Sequence, residues 1–372
     1  MKRREFVTAL GVGAAGAVLA GCTGSESGSE KQQASAKQEK IKWKMVTTWP
    51  KNFPGLGTAA NSLAEKITKM SGGRLEIKVY GAGELVPAFG VFDAVSEGTA
   101  QMGHSASYYW KGKAPAAQFF AAVPFGLNAQ EIASWIYYGG GLELWKEVYE
   151  PFNLIPTAVG NTGVQMAGWF NKEVNSLDDL KGLKMRIPGL GGEVLNRAGG
   201  TAVSLPGSEL FTSLQTGAID ATEWVGPYND KAFGLYKAAK YYYYPGWHEP
   251  GSVLEGMINK TAFEALPADL QEVVMVATRA ANQDMMDEVT YRNAVALKEL
   301  VNDHGVELRE LPSDVYQELR TISDEVVFEE AQKDDLSRRI YDSFINFRNL
   351  SDDYQKISEY AYLNGRLMTG KG

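Results

Sequence analysis

The sequence predicts an α/β fold of two lobes followed by long C-terminal helices. Three features carry this expectation. From Ile41 onward, short apolar runs alternate with helical periodicity as strand, helix, strand, helix, strand, the pattern of a parallel sheet flanked by helices. The alternation resumes between residues 160 and 250. After Met257 the strand signals give way to long amphipathic helices. A chain of 372 residues, 44% of them hydrophobic, has the length for two domains and the apolar content to fill them.

The N-terminus stands apart. Lys2-Arg-Arg-Glu precedes an apolar run from Phe6 to Ala20, shorter than a membrane span needs. Leu19-Ala-Gly-Cys22 fits a bacterial lipoprotein cleavage site, and the paired arginines resemble a twin-arginine export signal. Residues 1–21 are therefore expected to be a signal peptide, Cys22 a lipidation site, and 22–40 a flexible, lipid-anchored tether of Ser, Gly, Glu, Lys and Gln. The competing reading is a buried N-terminal helix with a chance cysteine. Cys22 is the only cysteine, so neither an internal disulfide nor a thiolate cluster can form. The net charge of −8, with no basic run beyond the N-terminus, argues against nucleic acid as a partner.

In the first lobe, residues 41–49 alternate apolar and polar and then turn apolar, which suggests a strand. Leu63, Ile67 and Met70 set a helix over 58–70, stopped by Gly72-Gly73. A strand over 75–80, a helix over 87–98 and a strand over 102–109 follow. Ligands of such sheets bind beyond the carboxyl ends of the strands, so the loops after Trp49, Gly81 and Ser107 should face a cleft. Helices over 129–139 and 140–149 and a strand over 154–160 close this lobe.

The second lobe opens with a strand over 164–170 that holds Gln165 near its start. Ser176 and Asp179 have the spacing of a capping box for a short helix. Strands are expected over 183–187, with Arg186, and over 201–205 and 219–225, the last with Glu223-Trp224. The intervening helices should cover 192–199 and 208–217, the second capped by Ser208, and 188–192 should be a turn. Tyr241 to Tyr244 should alternate faces of a strand. Helices over 262–303, 312–332 and 351–368 complete the chain. Lobe 1 is thus expected over 41–160, completed by part of the C-terminal segment, lobe 2 over 161–250, and spanning and C-terminal helices over 251–372.

Enzyme motifs are sparse. His104, His248 and His304 sit in no metal-binding spacing, and GxSxG is absent. Gly189-Leu-Gly-Gly-Glu lacks the rest of a phosphate loop and reads better as a strand-to-helix turn. Arg186, at a strand end before Pro-Gly, can present its planar fork to a carboxylate, and a surface ion pair is the competing explanation. Glu223 at a strand end needs a positive partner, either Arg186 or a metal cation. Gln165, Glu223, the Trp224 carbonyl and Glu249 supply the oxygen ligands that Ca²⁺ and Na⁺ prefer. Alternatively, Trp224 is core packing and Glu249 a surface turn residue. Trp247 is a candidate apolar wall or, more commonly for such a residue, core.

These stretches together resemble a known family. Residues 41–340 are similar to the DctP-type solute-binding receptor of tripartite ATP-independent periplasmic (TRAP) transporters, in the cation-dependent branch that binds 2-oxo acids or lactate. The resemblance rests on Gly163-Val-Gln-Met-Ala-Gly-Trp-Phe, Leu180-Lys-Gly-Leu-Lys-Met-Arg-Ile-Pro-Gly, Ala218-Ile-Asp-Ala-Thr-Glu-Trp-Val-Gly-Pro and Tyr244-Pro-Gly-Trp-His-Glu-Pro-Gly. It implies a two-lobed, type II periplasmic-binding-protein-like clamp that closes on its ligand. It implies that Arg186 takes the substrate carboxylate and that Gln165 meets substrate and cation. Glu223, the Trp224 carbonyl and Glu249 would complete the shell of a Na⁺ or Ca²⁺ ion bound with the substrate. Tyr108, Asn161 and Trp247 would complete the substrate contacts, with Tyr108 and Tyr109 alternatives for the cleft-facing hydroxyl.

The resemblance further implies a periplasmic or cell-surface receptor without catalysis. It would deliver pyruvate, another 2-oxo acid or lactate to membrane subunits, and its C-terminal helices could form a homodimer. C4-dicarboxylates or sugar acids without a metal are the alternative ligands. An exported metal-dependent enzyme acting on 2-oxo acids is the alternative class, with His248 its only evident base.

Overall fold

The computed structural model describes residues 40–368, so the expected signal peptide, Cys22 and nearly all of the tether lie outside the described residues. In chain order the first half comprises β1 (Ile41–Thr47), α1 (Leu56–Met70), β2 (Leu75–Tyr80), α2 (Val91–Ser96), β3 (Met102–Ser105), α3 (Ala129–Tyr138), α4 (Gly141–Tyr149) and β4 (Leu154–Asn161). There follow β5 (Gly168–Phe170), β6 (Lys184–Arg186), α5 (Gly189–Arg197), β7 (Thr201–Val203), α6 (Gly207–Gln215), β8 (Ala221–Thr222), α7 (Pro227–Phe233) and β9 (Tyr241–Tyr244). The last third holds β10 (Val253–Asn259), α8 (Lys260–Glu264), α9 (Ala268–Asn302), β11 (Glu307–Glu310), α10 (Ser313–Ala331), α11 (Asp335–Gln355) and α12 (Glu359–Leu367).

The strands form two sheets, one per lobe. The first runs β2-β1-β3-β10-β4 and the second β11-β9-β5-β8-β6-β7. β1, β2 and β3 are parallel, as the alternation predicts, whereas β10 lies antiparallel between β3 and β4. β10 is therefore a correction to the expected all-helical C-terminal segment. All seven of its residues are buried, so it has no polar face to alternate with its apolar one. β11, Glu-Leu-Arg-Glu, is a polar edge strand against β9, and its charge hides it from hydrophobic patterning. α11, Asp335–Gln355, is a further helix between those expected.

Several strands are shorter than their sequence signals, because a strand persists only as far as its hydrogen-bond ladder continues. β3 ends at Ser105, the last residue paired with β10, and Ser107–Trp110 turn into a 3₁₀ helix. β5 begins at Gly168, leaving Gln165 in the approach to it. β8 covers two residues only, so Glu223-Trp224 lie just past its end. α5 starts at Gly189, so the glycines expected to form a turn are its first turn. A Cβ on Gly192 would lie 2.7 Å from the Ile187 carbonyl. Ser208 sits inside α6 and does not cap it. The capping box of Ser176 and Asp179 forms as expected.

α9 joins the lobes. It leaves β10 of the first sheet and ends before β11 of the second, 35 residues or about 50 Å later. Leu270, Val274, Ala277, Ala281, Met285 and Val289 recur at three- or four-residue steps along its buried stripe, and it packs on α1, β4 and α7. Three of the four tyrosines of β9 are buried, because the second sheet is covered on both faces; Tyr244 alone is exposed.

The first lobe also buries Glu255 on β10, where Trp110 Nε1 and Tyr149 Oη donate to its carboxyl. Burial outweighs these donors and pushes its pKa up to about 7 from an ordinary 4.5. A carboxyl whose pKa is raised on folding contributes its full stability below the unfolded value and loses it as pH rises through the folded one. Glu255→Gln keeps an acceptor for Trp110 and a donor for Tyr149. It is expected to stabilise the protein by about 1–3 kcal/mol at pH 8 and not at pH 4. Urea melts at the two pH values check this, and an equal effect at both would reject it.

Candidate carboxylate and cation site

Two segments cross between the sheets, one from β4 to β5 and one from β9 to β10. They pair with each other: Thr162 N donates to Ser252 O (3.0 Å), Gln165 N to Glu249 O (3.2 Å) and Gly246 N to Gln165 O (3.0 Å). The approach is so close that a Cβ on Gly246 would lie 2.2 Å from the Gln165 carbonyl oxygen. Gln165 and Glu249 are thus held side by side between the lobes, and Gln165 Nε2 donates to Glu249 Oε2 (2.7 Å).

β6 delivers Arg186 from the second lobe at its last residue. The guanidinium is 1% exposed. Its Nε donates to Leu205 O (3.2 Å), Nη1 to Glu223 O (3.3 Å) and Glu223 Oε1, and Nη2 to Tyr109 Oη (3.0 Å). Of the five N–H donors of an arginine, one on Nη2 has no partner among these contacts. Trp224 packs over the guanidinium, 5.0 Å from ring centroid to Cζ. Burial works against the Arg186 charge, and Glu223 with the two tyrosines more than offsets it, so its pKa is raised.

The other half of the site is acidic. Glu223 follows β8, and its amide donates to Arg186 O (3.2 Å), which locks the two loops together. Its Oε2 has no partner, and His248 Nε2 lies 3.5 Å away. Glu249 also accepts from Ser252 Oγ. Burial, and then the nearby Glu223 carboxylate, push its pKa up to about 7. Glu223, His248 and Glu249 each place a ligand atom within 4.8 Å of the others. Gln165 Oε1 and both ring nitrogens of His248 are buried without hydrogen-bond partners. Buried polar atoms are rarely left unpaired, and those of Glu223 and His248 lie together beside Glu249. The oxygen-rich set suits a hard cation such as Na⁺ or Ca²⁺.

The structure sorts the expected site residues. Gln165, Arg186, Glu223, Trp224 and Glu249 come together. Tyr109, rather than Tyr108, reaches Arg186, while the Tyr108 ring stands edge-on to it at 4.7 Å. Asn161 spends its side chain on the crossing segments, accepting from Gly163 N (2.8 Å) and donating to Gly251 O (3.3 Å). The Trp247 ring packs toward Phe125 in the core of the second lobe. His248 is the addition to the expected ligand set; its place beside Glu249 was the only signal. Trp49, Leu56, Thr162, Val225 and Leu254 join the wall of a cavity of about 10 Å³. A far larger groove of about 830 Å³, near Glu147, Lys260 and Met275, lies on an outer face away from this chemistry.

Two α/β lobes joined by crossing segments, with a buried polar site on those segments, define a two-lobed binding protein. The family model DctP, described as bacterial extracellular solute-binding protein, family 7, matches residues 45–334, and the chain belongs to this family. It is 42% identical over 365 residues, 98% of each chain, to the monocarboxylate 2-oxoacid-binding periplasmic protein of Nostoc sp.. Among solved structures, it is 45% identical to a TRAP periplasmic solute-binding protein of Pseudoalteromonas atlantica with bound sodium and pyruvate. That match has a TM-score of 0.86 and covers 88% of this chain and 99% of that one. A TRAP periplasmic solute-binding protein of Colwellia psychrerythraea with bound calcium and pyruvate is 44% identical, with a TM-score of 0.86 and coverage of 88% and 100%. No helix among the described residues is long and apolar enough to cross a membrane.

The buried ion pair makes a stability prediction. Arg186→Met removes the buried partner of Glu223, which should cost about 3–5 kcal/mol. Adding Glu223→Leu should recover at least half of that loss. Chemical denaturation of the two variants tests this, and a single variant as stable as the parent would count against it.

Proposed function

We propose that the protein is the solute receptor of a TRAP transporter and captures a small 2-oxo monocarboxylate, such as pyruvate, together with Na⁺ or Ca²⁺. The observation that carries this reading is the meeting of one buried guanidinium with the buried cluster of Glu223, His248 and Glu249, beside a small cavity that Gln165 and Trp224 line. Arg186 anchors the ligand carboxylate through its remaining Nη2 donor, and Tyr109 fixes the plane of the guanidinium. Gln165 Oε1, Glu223 Oε2, the Trp224 carbonyl and Glu249 hold the cation. His248 stands beside them as a further donor. When bound, the cation supplies a positive charge that the 2-oxo and carboxylate oxygens of the ligand can share. Trp49, Leu254 and Val225 exclude water from this arrangement. The relatives with bound pyruvate and sodium or calcium support the same ligand class.

Charge and polarity argue against the alternatives. A C4-dicarboxylate would bring a second carboxylate to a site that holds one arginine and two glutamates. A sugar acid brings several hydroxyls to a wall whose polar side chains are few, Thr162, Gln165 and the two tyrosines among them. The enzyme reading rests on His248 alone, and sustained turnover of pyruvate in the presence of Ca²⁺ would support it over a receptor.

Thermal shift provides the direct test. Pyruvate with Ca²⁺ or Na⁺ should raise Tm, and chelator or ion-free buffer should abolish most of the gain. Glu249→Gln should weaken cation binding at least tenfold by calorimetry. Stabilisation by pyruvate that is indifferent to cations would refute the metal part of the reading.

Two features extend the proposal to assembly. Leu350, Tyr354, Ile357, Tyr360 and Leu367 are 64–78% exposed along α11 and α12, an apolar run suited to a homodimer contact. Truncation after residue 349 should then yield monomers by light scattering. Cys22, from its sequence context alone, is proposed to carry a lipid anchor outside the cytoplasm. Cys22→Ser should release the protein from the membrane fraction, and retention there would exclude the anchor.

A further inference from the structure

Between β8 and α7, residues 223–226 have no regular secondary structure, yet their backbone groups are taken up one by one. Glu223 N donates to Arg186 O (3.2 Å), and Glu223 O accepts from Arg186 Nη1 (3.3 Å). Val225 O accepts from Met166 N (3.1 Å) and Gly226 O from Asp230 N (2.9 Å). Among the described residues, the Trp224 carbonyl accepts no hydrogen bond, although Trp224 is only 4% exposed. Backbone carbonyls of buried residues are normally paired, so this one is held open for something else.

Asp230, on α7 and 1% exposed, fixes where that carbonyl points. Four donors meet its carboxylate. Oδ2 accepts from Trp169 Nε1 (3.0 Å) on β5 and from Tyr242 Oη (2.7 Å) on β9, and these two rings stack with centroids 3.9 Å apart. Oδ1 accepts from Val225 N (3.2 Å) and Gly226 N (3.1 Å). The Val225 amide and the Trp224 carbonyl belong to one planar trans peptide, which points them in opposite directions. A carboxylate that holds the amide therefore turns the carbonyl the other way. An ionised carboxylate accepts on both oxygens and donates nothing, which suits a point where N–H and O–H groups converge.

We propose that Asp230 is a positioning residue for the cation: through Oδ1 it aims the Trp224 carbonyl at the ion, while Oδ2 fastens it to β5 and β9 of the second sheet. The inference rests on the reading of the Trp224 carbonyl as a cation ligand. Asp230 acts through the shared peptide, and the carbonyl is oriented before the ion arrives. The requirement is for an acceptor at Oδ1 and not for charge, so asparagine should serve in place of aspartate. Asparagine would turn its NH₂ toward the Trp169 donor, and Trp169→Phe removes that conflict and leaves Tyr242 Oη free to accept.

The test compares wild type, Trp169→Phe, Asp230→Asn with Trp169→Phe, and Asp230→Leu with Trp169→Phe. Ca²⁺ is titrated calorimetrically at saturating pyruvate. Tb³⁺ then replaces Ca²⁺, and its luminescence decay in H₂O and D₂O counts the waters on the bound ion. The first three proteins should bind Ca²⁺ within about threefold of one another, and the leucine variant at least about tenfold more weakly. Tb³⁺ in the leucine variant should carry about one more water than in the other three, in the place of the lost carbonyl. If the leucine variant does not fold, Asp230→Ala in the same background is read by the same criteria. A smaller loss in the leucine or alanine variant, or a tenfold loss without an added water, would overturn the positioning role and leave the cation reading standing. Equal weakening by asparagine and leucine would overturn it too, since charge alone would then account for the effect. Wild-type binding of pyruvate that needs no cation would overturn the cation reading and this one with it.

Discussion

A guanidinium that is 1% exposed must be matched by negative charge, and in this protein that one requirement organises the interior between the lobes. Glu223 meets it with one carboxylate oxygen and the backbone carbonyl. The second oxygen of Glu223 faces His248 and Glu249 without a hydrogen-bond partner. Burial, and then the nearby Glu223 carboxylate, push the pKa of Glu249 up to about 7. A cation and a carboxylate ligand together suit this distribution of charge, because the glutamates can meet the ion and the arginine the ligand. With a divalent ion the charges of Arg186, two ionised glutamates and a monocarboxylate sum to zero; with a monovalent ion a proton on one glutamate has the same effect.

The backbone makes this arrangement possible by bringing the crossing segments together. Gln165 and Glu249 are 84 residues apart, yet they face each other because the two crossings form a short antiparallel pair. Residues on such crossings belong to neither lobe, whereas Arg186 and Glu223 belong to the second, so the site draws on both. α9 gives the lobes a common support, and Lys111 of the first lobe pairs with Glu193 of the second. That pair is exposed and contributes little energy by itself.

Much of the fold is legible in the sequence where periodicity is clean. α1, β2 and the Ser176–Asp179 cap agree with their patterns, because each is set by local spacing and a local stop. The misreadings share a cause. β10 is uniformly buried and β11 uniformly polar, so neither shows the alternation that marks a half-buried strand. The stretches around Gln165, Tyr108 and Glu223 look like strands by composition, but their backbone bonds are isolated contacts and do not continue a ladder, so they become loops or a 3₁₀ turn. Local pattern cannot report whether a ladder continues.

By itself, the sequence determined the two α/β lobes and the family motifs around Arg186, Glu223 and Glu249, since each rests on residues close together in the chain. Only the tertiary structure decided which of those residues share one buried point. It shows Asn161 bonded to the crossing segments, Trp247 packed toward Phe125, Arg186 donating to Tyr109, and His248 beside Glu223 and Glu249. The physical reason is that charge compensation acts through space. A buried Arg186 selects whichever groups the fold brings within hydrogen-bond reach, wherever they stand in the chain.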